Sequence, residues 1–182
     1  MTNKIGFFRK SKQSNTKLVL MFEKIQKIRF ESSDSDWQDK DFVKRLMSLE
    51  KQSKSEILKL LKDKKLKTSD DFYRASFIFH HGYNFEDYMV AVSLSSISHH
   101  LGEPWAKNFY AVALDRLLLN IGLPQHFGSQ FSKKNGEWQL EKINDKTTDK
   151  ERAEHGIEAL SLIKKRMKNM DKITSWETSL KD

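Results

Sequence analysis

Apolar residues recur at helical spacing along most of the chain, and the breaks between these runs carry capping residues. Leu18, Met21, Phe22, Ile25 and Ile28 predict a first amphipathic helix reaching about Phe30. The polar cluster Glu31-Ser32-Ser33-Asp34-Ser35-Asp36 stops it. Ser35 or Asp36 is placed to cap a long second helix, in which Phe42, Leu46, Leu49, Ile57 and Leu60 form one stripe among Lys, Glu, Gln and Ser. Thr68-Ser69-Asp70-Asp71 marks the next break, with Ser69 as N-cap. A third helix is expected from Asp71 to His81, closed by Gly82. Asn84-Phe85-Glu86-Asp87 opens a fourth that runs to His100. On it Val90, Leu94, Ile97 and Leu101 make an apolar ridge, while Ala91, Ser95 and Ser98 leave a side of small residues that another helix can approach closely.

Pro104 stands where a first-turn proline is tolerated and opens a helix from Trp105 to Ile121, ended by Gly122. Trp105, Phe109, Val112 and Ala113 share one face, and Tyr110, Leu114, Leu117 and Leu118 cover the opposite one. A helix apolar all round is a central, buried helix. Beyond it the period changes. Gln130 to Lys133 and Glu137 to Leu140 flank Asn135-Gly136, a strong hairpin signal. Thr148-Asp149-Lys150-Glu151 then starts a last helix with Ile157, Leu160, Ile163 and Met167 as its stripe. The expected fold is all-α: about six helices packed around a central apolar helix, with one small β-hairpin near the C-terminal third. Its domain spans 18–171, between a loose basic arm, 1–17, and a frayed tail, 172–182.

Composition narrows the function classes. A chain of 182 residues, 37% hydrophobic and 32% charged, favours one soluble domain with a core of its own. No apolar run approaches the roughly 20 residues that span a bilayer, and no leader pattern is present, so the expected location is cytoplasmic. The absence of cysteine removes disulfides, thiolate metal sites and a cysteine nucleophile. The formal charge of +8 admits attraction to nucleic acid. Yet the lysines lie in short groups with acidic residues between them, as on solvated helix faces, and no nucleic-acid-binding signature accompanies them.

The candidate chemistry gathers at the end of the central helix. Arg116 projects from the middle of an apolar face and Asp115 from its flank, a costly placement unless the two are paired or used. They are read either as a buried structural pair or as an anchor for an anionic ligand, since a guanidinium grips a carboxylate or phosphate through parallel hydrogen bonds. Gln125, His126, Gly128 and Gln130 follow within six residues, and Gly128 lets a ligand approach the backbone. The two amides either satisfy the loop backbone or bind a ligand. His81, at a helix end beside Gly82, either interacts with the helix dipole or serves in acid–base chemistry. His80, His99 and His100 read as structural. Neighbouring histidines diverge by about 100° on a helix and cannot clasp one metal, so no metal is assigned. No glycine loop for a nucleotide and no serine elbow occurs, and no cofactor is implied.

Leu123-Pro124-Gln125-His126-Phe127-Gly128-Ser129-Gln130, preceded by Asp115-Arg116 and followed by a hairpin, resembles a bacterial domain-of-unknown-function family with a D-R-x-L, G-x-P-Q-x-[YF]-G-[TS]-Q pattern. Phe79-His80-His81-Gly82 is similar to that family's apolar-Q-H segment, and Asp149-x-x-Arg152-x-x-x-Gly156 to its D-x-x-R-x-x-x-G start of the last helix. The resemblance covers about Leu18 to Leu160. It departs at Ile25, where the family has an acidic residue, and at His80, where it has glutamine. The resemblance implies a site, not a reaction. Two function classes follow. One is a small-molecule-binding protein or small helical enzyme with His81, Asp115 and Arg116 as its acid–base and anion-gripping residues and Gln125, Gly128 and Gln130 on the ligand. The other is a noncatalytic module for a protein partner; nucleic-acid binding ranks third. Either way His81, Asp115, Arg116, Gln125 and Gln130 are expected to meet in space.

Overall fold

The computed structural model describes residues 13–168. The expected arm and tail therefore lie mostly outside the described residues. Among those described are eight helices and one two-stranded antiparallel hairpin. None of the helices is long and apolar enough to cross a membrane.

Helix α1, Thr16–Glu31, is capped by the Asn15 side chain, which accepts from the Leu18 N–H. Ser14 Oγ donates to Asp70 at 2.6 Å and the Asn15 N–H to Asp71 at 2.6 Å, so the chain is tied to the domain from Ser14 onward. The expected long second helix is two helices, α2, Asp34–Gln38, and α3, Lys40–Lys62. Ser33, not Ser35 or Asp36, caps α2. Asp39 sits in extended backbone between the two and caps α3 by accepting from the Asp41 N–H. A side chain that satisfies the orphan amides of a new first turn makes a break as stable there as continuation. Leu46, Ile57 and Leu60 are buried along the predicted seam.

Thr68, one residue before the expected cap, forms a capping box with Asp71 and opens α4, Ser69–His80, whose C-cap is His81. Asn84 caps α5, Phe85–His100, as expected. Helix α6, Ala106–Asn120, completes a run of three that pack α4 on α5 and α5 on α6, with α1 and α3 on the far side of α4. The core joins Leu18 and Ile25 of α1, Ile57 and Leu60 of α3, Ala75, Ile78 and Phe79 of α4, Ala91 and Leu94 of α5, and Ala113 of α6. On α5 the side of small residues is the buried one: Ala91, Ser95 and Ser98 are covered, whereas Ile97 and Leu101 of the predicted ridge are 42% and 52% exposed. Small side chains let α4 come close enough for Ser98 Oγ to donate to the Ser69 carbonyl at 2.7 Å, which larger residues would prevent.

Helix α6 buries Ala106, Phe109, Ala111, Ala113, Asp115 and Leu117. The hairpin β1, Phe131–Lys134, and β2, Glu137–Leu140, pairs Phe131 with Leu140 and Lys134 with Glu137. Its turn holds Asn135 and Gly136 at φ 53° and 83°, the left-handed pair that a two-residue hairpin requires. The expected last helix is also divided, into α7, Asp149–Glu154, and α8, Leu160–Met167. The chain turns at His155-Gly156, and Asp149 accepts from the Leu160 N–H at 2.9 Å, fastening the start of α8 to the start of α7. Ile163 of α8 is buried, and α8 packs on β2.

Candidate functional site

The loop between α6 and the hairpin is built around one carboxylate. Asp115, fully buried on α6, accepts from the backbone N–H groups of His126 at 2.7 Å, Phe127 at 2.8 Å and Ser129 at 2.9 Å, and from Ser129 Oγ at 2.8 Å. Four donors on one carboxylate occupy its lone pairs and leave nothing for a substrate proton. Of the two readings of Asp115 and Arg116, the buried structural pair does not form, each side chain having its own partners.

Gln125, also fully buried, staples the loop to the hairpin. Its Nε2 donates to the carbonyls of Gln130 and Glu141, both at 3.0 Å, and its Oε1 accepts from the Gln130 N–H at 2.8 Å. Its backbone bridges Lys142 and Asn144. Gly128 has φ 91°, and a Cβ there would stand 3.0 Å from Ile143 Cδ1. The glycine thus permits the loop's own packing against Ile143. Gln130 gives its Nε2 to the Val112 carbonyl and to Ser129 Oγ, leaving Oε1 to face Arg116. Both amides are consumed in holding the loop.

Arg116 is the exception. Nε donates to Gln130 Oε1 at 3.1 Å and Nη1 to the His80 carbonyl at 3.0 Å, so the guanidinium is held from two sides. Among the described residues no carboxylate pairs with it. It is half-buried. Burial, with the Arg29 charge adding to it and Tyr88 opposing it, lowers its pKa from the ordinary value.

His81 caps α4 with its ring edge-on to Phe77, 5.1 Å between centroids. Burial first, then Arg29 and Arg116, push its pKa down to about 3. His80 is lowered well below the histidine range by burial, Arg116, His81 and Arg29 in that order. Both rings are neutral near pH 7, so the helix-dipole reading, which needs an imidazolium, does not hold for His81. His80 Nδ1 is buried without a hydrogen-bond partner among the described residues.

Four of the five expected residues, Asp115, Arg116, Gln125 and Gln130, are joined through one set of hydrogen bonds, and His81 touches none of them, its ring lying against Phe77 and His80. His81 adjoins His80, whose carbonyl holds Arg116, which reaches Gln130, which is bonded to Gln125, while Asp115 binds the same loop from below. What sequence reasoning missed is the second half of this end of the bundle. Arg29, in the last turn of α1, donates Nε and Nη2 to Glu50 Oε1 at 2.8 and 2.7 Å, and Tyr83 donates to Glu50 Oε2 at 2.9 Å. Glu50 is fully buried on α3. A signal existed: Glu50 follows Leu46 by four residues and precedes Ile57 by seven, so it lies on the apolar seam. Arg152 was noted only within a resembling motif; it is 2% exposed and ties α7 to the loop through the carbonyls of Phe127 and Thr147, each at 3.0 Å.

The arrangement is thus a hydrogen-bonded scaffold of Asp115, Gln125 and Gln130, joined by Arg152, whose Nη2 is buried without a partner among the described residues, beside a niche of two arginines and two neutral histidines (Arg116, Arg29, His80, His81) where the Glu50 carboxylate is already engaged by Arg29 and Tyr83. Two clefts of about 450 and 440 Å³ lie elsewhere, one beside Trp37, Val43 and Met47, the other beside Asn15, Lys65 and Asp71. No group of three or more metal-ligating side chains occurs among the described residues. Comparison of the chain with protein families, with curated proteins and with solved structures finds no match in any of the three.

Proposed function

We propose that the protein binds a small organic anion, whose carboxylate or phosphate is gripped by Arg116 with Arg29 behind it. The observation that carries this reading is the state of Arg116: half-buried, held by two neutral oxygens, lacking a carboxylate partner, and within the field of a second arginine. Placing a cation there costs solvation energy that two neutral oxygens only partly offset. An anionic ligand offsets the rest and takes the planar, two-pronged contact that guanidinium offers. Of the segments that carry the resemblance to the domain-of-unknown-function family, Arg116, His80 and His81 stand at this niche and the glutamine loop holds Arg116 through Gln130, which supports reading it as the site.

Binding without turnover fits the geometry better than acid–base catalysis. Asp115 is saturated by its four donors. A histidine with a pKa near 3 is a weak base at neutral pH, far from the matched value that general base catalysis favours. The test is a thermal-shift and calorimetric screen with inorganic phosphate, citrate, dicarboxylates and nucleoside monophosphates. A true ligand at a hundredfold excess over its Kd stabilises the fold by about 2.7 kcal/mol. The stabilisation should vanish in Arg116→Lys, which keeps the charge but not the fork, while that variant still folds. If no anion stabilises the wild-type chain, or if the shift persists in Arg116→Lys, the reading fails.

One observation favours a second reading, a noncatalytic interaction module: α5 turns apolar side chains outward.

A further inference from the structure

Helix α5 presents Phe85, Met89, Ser93 and Ile97, with its C-cap Leu101, as an exposed row at four-residue spacing. The four apolar members are 43%, 42%, 42% and 52% exposed in chain order. Three features of this row bear on what covers it. First, the chain carries 33 Lys and Arg, yet none occurs from Ala75 to Ala106. The helix that carries the row therefore adds no Lys or Arg of its own to the approach of two copies of a chain of net charge +8, the lysine at its start, Lys54 of α3, being paired with Asp87. Second, the row is symmetric about Ser93: residues equidistant from it are Met89 and Ile97, Phe85 and Leu101, and Glu86 and His100. Third, Ser93 Oγ already donates to the Met89 carbonyl at 2.9 Å, so covering that hydroxyl leaves no donor unsatisfied.

We propose that the occupant of this face is a second copy of the chain, its α5 antiparallel to the first, with the two-fold axis through Ser93. A two-fold interface requires a self-complementary patch, and this row is one. Under that symmetry Met89 meets the second copy's Ile97, and the small Ser93 lies where the helices cross and their backbones come closest. Glu86 and His100 are both exposed, and His100 Nδ1 is engaged with the Ser96 carbonyl at 2.8 Å, which leaves Nε2 outward. The symmetry sets the Glu86 carboxylate opposite the second copy's His100 ring, an acceptor facing the free ring nitrogen. The same apposition occurs twice in the dimer. One helix pair with such flanks lies at the small end of stable interfaces, which bury about 800 Å² on each side, so the dimer dissociates on dilution. The proposal is independent of the anion site.

The absence of cysteine makes the test direct. At an interhelical distance of 8–10 Å, with helix radius about 2.3 Å, two residues on the crossing axis have Cα atoms roughly 3.5–5.5 Å apart, within or just below disulfide range. Ser93→Cys should therefore give a disulfide-linked dimer as the main product of mild oxidation, while Lys51→Cys, on the exposed side of α3, should stay monomeric under the same treatment. In sedimentation velocity the wild-type chain should pass from monomer to dimer with rising concentration. Met89→Glu and Ile97→Glu should weaken the dimer at least tenfold with unchanged circular dichroism and melting. A wild-type chain that stays monomeric into the hundreds of micromolar overturns the proposal, whether because another protein or the chain's own terminal segments cover the face. So does a dimer that survives Met89→Glu, or Lys51→Cys cross-linking as readily as Ser93→Cys.

Discussion

Replacing Asp115 by asparagine changes one atom of the side chain and should cost most of the loop. The carboxylate is fully buried and accepts from four donors, three of them backbone amides of His126, Phe127 and Ser129. An asparagine has one acceptor oxygen. Its NH₂ must point at two of the donors, either the His126 and Phe127 amides or the Ser129 amide and hydroxyl. Two charge-assisted bonds are lost, each worth about 1.5–3 kcal/mol, and a donor is set against donors that cannot reach water. The Ser129 hydroxyl can rotate away, so the asparagine's best orientation turns its nitrogen toward Ser129 and strands one amide. The net estimate is about 3–4 kcal/mol, below the sum of the bonds because the loop relaxes. For a domain of this size 1 kcal/mol moves the melting temperature by about 2–4 °C, so the expected fall is about 6–16 °C. Urea unfolding followed by circular dichroism gives the free energy directly, and Ser129→Ala serves as the mild comparison at about 1 kcal/mol. If Asp115→Asn loses less than 1 kcal/mol, the four contacts do not hold the loop, and Asp115 has to be reconsidered as a functional group.

Further expectations follow from other parts of the same end of the bundle. Glu50→Ala should cost about 3–5 kcal/mol in urea unfolding, because it leaves Arg29 facing an apolar seam without its counter-charge and Tyr83 without its acceptor; a change below 1 kcal/mol would show that water solvates Arg29 there. Stability should fall with pH below the unfolded histidine value of about 6.5, because the folded His81 pKa is depressed to about 3 and only the unfolded chain takes up that proton. From pH 6.5 to pH 5 the loss attributable to His81 is about 2 kcal/mol, and His81→Gln should remove that part of the slope; an unchanged slope refutes the burial argument. Gly128→Ala forces a side chain into φ 91° with Ile143 Cδ1 at 3.0 Å, so a loss of about 1–2 kcal/mol is expected by thermal unfolding. Asn15→Ala removes the N-cap of α1 and should cost about 1 kcal/mol, whereas deleting residues 1–12 should leave the urea midpoint of the 13–168 domain almost unmoved.

Whatever depends on neighbours three or four residues away was legible in the chain's own pattern. Periodicity located the helical runs, the Asn84 cap began α5 at the right residue, and Asn135-Gly136 placed the hairpin. Local competition between equivalent caps was harder to read. Asp39 divides a run that looks continuous by its apolar stripe, because a satisfied first turn there is a local side-chain choice that periodicity does not register. The polar cluster was legible in large part, since an arginine and an aspartate on an all-apolar helix demand partners, and Asp115, Arg116, Gln125 and Gln130 do come together, whereas His81 lies against Phe77 and His80.

Which of them is already spoken for emerges from the packed fold alone. Whether a buried amide is structural depends on which carbonyls stand within 3 Å, and those of Gln125 come from Gln130 and Glu141, set there by the loop and the hairpin. Glu50 gains its meaning from Arg29, 21 residues earlier, and Tyr83, 33 residues later, two partners that no local pattern relates to it. The orientation of α5 was decided the same way. Its ridge and its small-residue side are both apolar enough to be buried, and close packing against α4 selected the small one, which left Ile97 and Leu101 facing outward.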